Sequence, residues 1–193
     1  MVPIKVCASA ETAPCTQFLS DVVAIAAGSV HSVALTSDGT AWMWGDNTSA
    51  QLGDGSNLLR ATPVPVCIAQ TSNNCSALLT NVAKISAGYS HTLALQSDGT
   101  VWAWGLNTDG QLGSGSIATS SFSTLLPAKV CGIDTSSLCE SELTDIIDIS
   151  AGFANSVALQ SNGKIVVWGS NDNGELGDGS LILRYLPDLV TGL

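Results

Sequence analysis

Apolar residues along this chain fall in short runs, each cut by glycine, proline or a polar pair. In the first such block, Asp21-Val22-Val23-Ala24-Ile25-Ala26-Ala27 reads as a strand that Gly28 breaks at a turn. Ser32-Val33-Ala34-Leu35 reads as a second strand, and Thr40 to Trp44 as a third. Between them, Ser37-Asp38-Gly39 predicts a tight hairpin in which Asp-Gly supplies the positive-φ positions. A period of two places Trp42 and Trp44 on one face. A Gly/Asn-rich loop ending in Gln51-Leu52-Gly53-Asp54-Gly55 leads into Thr62-Pro63-Val64-Pro65-Val66, a fourth strand. Proline confines that strand to a sheet edge. No stretch of useful length carries a helical period.

The block recurs. Gly28, Gly88 and Gly152 open its turn in three copies. The Pro-x-x-Val strand occurs in four places, because Val2-Pro3-Ile4-Lys5-Val6 matches it as well. The pattern predicts an all-β chain of β-propeller blades, each of four antiparallel strands. The blades span about 17–66, 78–130 and 142–190, and residues 1–7 form the outer strand of a preceding blade. A sheet apolar on both faces needs neighbours, and radial repetition supplies them. Three blades fall short of the roughly four to eight that close a ring. The expectation is therefore a partial propeller, completed by further repeats or by self-association.

Charge narrows the function. Six basic residues stand against 16 acidic ones, for a net charge of −10. That excludes a phosphate-neutralising nucleic-acid surface and docking on anionic lipid. No apolar run reaches the length of about 20 residues that spans a bilayer.

Six cysteines form three pairs, Cys7 and Cys15, Cys67 and Cys75, Cys131 and Cys139, each eight apart at one place in the repeat. Three disulfides, each closing one polar loop, explain this best; buried thiols and metal ligands are the alternatives. In the chain-entropy model each bridge contributes roughly 2.5 kcal/mol. Disulfides imply an oxidising compartment, hence an extracellular or cell-surface protein. No leader precedes the cysteines, so if the protein is exported the expectation is that this chain is a piece of a longer one.

The repeat A-G-x-x-H-[ST]-x-A-L-x-S-D-G-x-x-W-x-W-G-x-N-x-x-x-Q-L-G-x-G resembles the regulator of chromosome condensation repeat family, three times over. The third copy departs from it at Asn155, Val166 and Glu175, where the pattern has His, Trp and Gln. The resemblance implies blades of a seven-bladed propeller, here lengthened by the cysteine loops. The family includes a nucleotide exchange factor for a small GTPase, a plant UV-B photoreceptor, secreted bacterial inhibitors of β-lactamase and many other bacterial proteins. It implies fold more firmly than function.

Candidate chemistry is sparse. His31, His91 and Asn155 share a column and read as structural side chains rather than metal ligands. No nucleophile recurs beside them, so no catalytic residue, cofactor or metal site is expected. Asp38-Gly39, Asp98-Gly99 and Asn162-Gly163 read as hairpins, and Asn171-Asp172-Asn173-Gly174-Glu175 lacks the alternation of a calcium loop. The five tryptophans read as blade core, with Trp44, Trp104 and Trp168 predicted to lie between blades. Strand parity places the Gly-x-x-His turns and the Trp-Gly-x-Asn loops on one rim. Val30, Asp46, Tyr89, Leu106, Phe153 and Asp172 mark it as a protein-binding rim. The function expected is a non-enzymatic module that binds a protein partner. The alternatives are a regulator of a small GTPase by nucleotide exchange and a glycan hydrolase with an acidic rim pocket.

Overall fold

A computed structural model describes residues 5–8, 14–72, 74–115, 123–133 and 139–190. The described residues are all-β. The first sheet runs β1 (Val22–Ala27), β2 (His31–Thr36), β3 (Ala41–Gly45) and β4 (Arg60–Pro65), antiparallel and in that spatial order. A hairpin of β5 (Cys67–Thr71) and β6 (Asn74–Leu78) follows. The second sheet holds β7 (Val82–Ala87), β8 (His91–Gln96), β9 (Val101–Leu106) and β10 (Ser123–Lys129). The third holds β11 (Ile146–Ala151), β12 (Asn155–Gln160), β13 (Ile165–Gly169) and β14 (Arg184–Leu189). These are three four-stranded propeller blades. Among the described residues no helix is long and apolar enough to cross a membrane.

The strand β7 touches both β1 and β11 across the blades, and the three form the inner edge. The proline-bearing β4, β10 and β14 lie at the opposite edge of their sheets, as the missing proline N–H requires. The expected strand at residues 2–6 lies largely outside the described residues. Its continuation closes the first cysteine loop through a bridge from Cys7 to Phe18, as Cys131 to Glu142 does in the third.

The hairpins differ from expectation in one respect. Gly39, Gly99 and Gly163 take positive φ of 79°, 85° and 85°, but the preceding Asp38, Asp98 and Asn162 do not. Three residues form the loop, and only its glycine needs the left-handed region. The aspartate works through its carboxylate: Asp38 Oδ1 accepts from Thr36 Oγ1 at 2.7 Å and from the Thr40 amide at 3.0 Å. Three of the left-handed non-glycine positions, Asp21, Asn81 and Asp145, fall instead just before each inner strand. Their carbonyls accept the amides of Ser37, Ser97 and Ser161 and so tie each hairpin to its own blade.

The second cysteine loop is a β-hairpin rather than an irregular loop. Cys67 pairs with Leu78 at its base, and Ser72 takes positive φ at its tip. The structure joins Cys7–Cys15, Cys67–Cys75 and Cys131–Cys139, with Cα separations of 5.6, 5.7 and 5.2 Å. These separations suit disulfide geometry.

The core lies between blades. Val33, Leu35, Met43 and Leu52 of the first blade cluster with Val66, Leu79, Val82 and Trp104. Leu93, Leu95, Val101 and Leu112 of the second cluster in the same way with Val130, Leu143, Ile146 and Trp168. Trp104 and Trp168 are fully buried. Trp44 is only half-buried, contrary to expectation, because among the described residues it lines a groove with Val6, Phe18 and Val22 rather than a junction of two blades.

Candidate functional site

Each Gly-x-x-His turn is closed by a bond from the glycine amide to the carbonyl three residues on: Gly28 to His31 and Gly88 to His91 at 2.9 Å, Gly152 to Asn155 at 2.8 Å. The glycine is required because the following side chain folds back over it. A Cβ at Gly28 would overlap the His31 ring, and one at Gly152 would overlap the Asn155 amide.

The histidines stitch blades together. His31 Nε2 lies 3.0 Å from Thr92 Oγ1 and His91 Nε2 lies 3.1 Å from Ser156 Oγ. Those hydroxyls donate onward, Thr92 to the Gln51 carbonyl and Ser156 to the Gln111 carbonyl, both at 2.9 Å. The same carbonyls accept the indole N–H of Trp104 at 2.9 Å and of Trp168 at 2.8 Å. Because each hydroxyl has spent its proton on a carbonyl, it accepts from the imidazole, which fixes the Nε2–H tautomer. Burial pushes the His31 pKa down to about 4 against the opposing pull of the Asp46 carboxylate. Burial pushes His91 down to about 3, with the charge of His31 adding. Two neutral, buried, hydrogen-bonded imidazoles are structural. Among the described residues no group of three His, Cys, Asp or Glu could hold a metal ion.

The turn tips project from this stitched layer. Tyr89 and Phe153 meet with ring centroids 4.5 Å apart at 33°, and the Tyr89 amide donates to the Phe153 carbonyl at 3.2 Å. Phe153 is 71% exposed. With Gly28, Gly88 and Gly152 the two rings line a cleft of about 360 Å³ at the inner ends of the blades. Val30 stands exposed at the equivalent tip of the first blade.

The other expected rim residues divide. Leu106 is half-buried at the end of β9, with its amide bonded to the Ser90 carbonyl at 2.9 Å. Asp172 is exposed in the loop after β13. Asp46 is a loop fastener that accepts from Thr48 Oγ1 and Gln51 Nε2, each at 2.7 Å. Partial burial raises its pKa, but the bonds from Thr48 and Gln51 outweigh this and hold it below the usual range.

Sequence reading missed two apolar pairs on this rim. Leu58 and Leu59, and Leu181 and Ile182, are each at least 60% exposed in the loops that precede β4 and β14. Those loops are rigid. Asn47 and Asn171 are buried, their Oδ1 atoms accepting the amides of Leu52 and Leu176 at 3.0 Å. Arg60 and Arg184 clamp Asp54 and Asp178 from the outer strand. The Arg184 guanidinium is the chief reason Asp178 titrates well below the usual carboxylate range. The signal was present in the repeated Asp-Gly-Ser followed by apolar residues and Arg, at 54–60 and 178–184.

Three stacked four-stranded blades with polar stitching between them define a repeat β-propeller. Family comparison makes this specific: the regulator of chromosome condensation (RCC1) repeat matches residues 22–51, 82–111 and 146–175, and a second model of that repeat matches 38–95 and 98–159. The chain belongs to this family. It is 32% identical over 173 residues to the E3 ubiquitin-protein ligase HERC2 of Mus musculus, covering 89% of this chain and 3% of that protein. It is 27% identical over 172 residues to the ultraviolet-B receptor UVR8 of Arabidopsis thaliana, covering 88% of this chain and 34% of that protein. In structure it resembles Prp20p of Saccharomyces cerevisiae, with a TM-score of 0.70 and 23% identity over 90% of this chain and 39% of that one. The chain thus spans well under half the length of these relatives.

Proposed function

We propose that this chain is a non-enzymatic protein-binding module whose docking surface is the rim of Gly-x-x-His turns. The observation that carries this reading is the Tyr89–Phe153 pair, exposed over a cleft on a rigid three-blade scaffold. Exposed aromatics on rigid loops are the residue types that anchor protein interfaces. Val30, Leu58, Leu59, Leu181 and Ile182 extend the apolar area. Leu106 and Asp172 border it, and Asp46 shapes it from within the loop. The net charge of −10 favours a partner with basic groups around an apolar centre. The report on Prp20p names binding to Gsp1p and histones for that protein, a use of the same fold that agrees with a protein partner here. Nucleotide exchange rests on likeness of fold alone. A glycan hydrolase needs two facing carboxylates, whereas Asp46, Asp54 and Asp178 are engaged in fastening their loops. The three disulfides support an oxidising setting, and with it an exported or cell-surface protein.

The test is comparative capture from the native milieu, with the wild type, a Tyr89→Ser/Phe153→Ser double variant and an opposite-rim Asn162→Ser variant as baits. A specific protein retained by wild type and Asn162→Ser but lost from the double variant is the expected result. Equal capture by all three baits, or loss only from the opposite-rim variant, rejects the rim.

A further inference from the structure

Asn-x-Ser/Thr, the acceptor pattern for an asparagine-linked glycan, occurs twice in the sequence, at Asn47-Thr48-Ser49 and at Asn74-Cys75-Ser76. The fold treats the two in opposite ways. Asn47 is buried, and both ends of its amide are engaged. Its Nδ2 donates to Asp54 Oδ1 at 3.1 Å and to the Ser56 carbonyl at 3.0 Å, while its Oδ1 accepts the Leu52 amide. A sugar on that nitrogen would break the loop that Arg60 and Asp54 fasten.

Asn74 opens β6 at the tip of the second cysteine hairpin, where it pairs with Thr71. A strand sends successive side chains to opposite faces, so Asn74 and Ser76 lie on one face and Cys75 on the other. Asn74 and Ser76 are both exposed. Among the described residues the Asn74 amide reaches only the Ser72 carbonyl, at the long distance of 3.5 Å, which leaves Nδ2 available. The base of the hairpin is anchored. Cys67 is fully buried, its amide donates to the Gly53 carbonyl at 2.9 Å, and β5 packs against β10, the outer strand of the second blade. Asn74 is therefore displayed from the outer side of the blades, whereas the Tyr89–Phe153 cleft lies at their inner ends. The bridge from Cys67 runs to the middle residue of the pattern itself. It ties the acceptor to an oxidising compartment, the setting in which secreted chains acquire such glycans.

We propose that Asn74 is a glycan acceptor and that Asn47 is not. The inference rests on the exported setting proposed above and is independent of the binding rim. The Asn74 amide nitrogen gives up one proton to a base of the transferring enzyme and forms a bond to the anomeric carbon of an oligosaccharide. The bond from that carbon to the oxygen of a lipid pyrophosphate breaks, and the lipid pyrophosphate leaves with the electron pair. Ser76 supplies the hydroxyl that the pattern requires. The attached glycan adds bulk and solubility on the outer side of the blades, over the exposed Leu78 on the same face of β6. It leaves the Tyr89–Phe153 cleft open to a partner.

The experiment is secretion of the 193-residue chain behind a cleavable leader from a eukaryotic cell line. Intact mass is read before and after an amidase that cuts asparagine-linked glycans. Secreted and cell-retained chain are both measured, so a folding failure does not hide the result. Wild type should carry one glycan that the amidase removes, and peptide mapping should place it on Asn74 and find Asn47 bare. Asn74→Gln and Ser76→Ala should each lose it, and Ser76→Thr, which keeps the hydroxyl, should retain it. A wild type without a glycan, or a glycan that survives Asn74→Gln or Ser76→Ala, overturns the proposal. Thiol alkylation of the same samples separates this outcome from that of the exported setting. Three closed bridges beside a bare Asn74 reject the glycan alone, whereas free thiols beside a glycan on Asn74 reject the disulfide-bonded state alone.

Discussion

At Gln51 one backbone carbonyl takes two hydrogen bonds from the next blade, and a third group, His31, completes the set. Replacing Thr92 by valine keeps the shape but leaves this carbonyl short of a donor and the His31 N–H without an acceptor. The cost should be about 1–3 kcal/mol, read from the denaturant midpoint. The imidazoles also set a pH response. The fold keeps His31 and His91 neutral down to about 4 and 3, whereas the unfolded chain takes up protons near 6.5. Between those values the unfolded state binds more protons, so stability is complete above about pH 6.5 and falls as the pH drops below it. Midpoints measured on acidification should fall through this window. Replacing His91 by Asn, the residue found at 155, should flatten the decline; an unchanged slope would mean that other groups cause it.

At the scale of the element, the strands were legible because each alternates or repeats within a few residues. Hairpin chemistry was half legible. The sequence names the Asp-Gly pair but not which member takes positive φ, because the Asp38 carboxylate bonds the backbone in either case. The hairpin of β5 and β6 was not legible, since its polar residues carry no hydrophobic period. Its bridge makes the element testable. Intact mass before and after reduction should differ by about six hydrogens, two for each of three bridges. Trp104, fully buried at the junction of two blades, should cost roughly 3–5 kcal/mol on replacement by alanine. Its place between blades was predicted from its position in the repeat. Its partner was not, because the Gln51 carbonyl lies 53 positions away in the chain.

For the whole molecule, stability is distributed along an array in which each blade leans on its neighbours. Among the described residues the middle blade is packed between two others, and β8 is buried along nearly its whole length. Hydrogen exchange should therefore be slowest in β8 and β9 and faster in β2 and β13. Uniform protection across the three sheets would contradict this. The array itself was legible from the period of the repeat. The half-exposure of Trp44 was not, because it depends on the groove that Trp44 lines with Val6, Phe18 and Val22.

The junction has one further consequence, which concerns inheritance. Each blade is recognised through a main-chain carbonyl of its predecessor, and a carbonyl survives any substitution at that position. A stretch of gene encoding one blade can therefore be copied or deleted in frame with the acceptor half of the junction kept, provided that the indole and hydroxyl recur in the new neighbour. The number of blades then becomes a property that one recombination event can change.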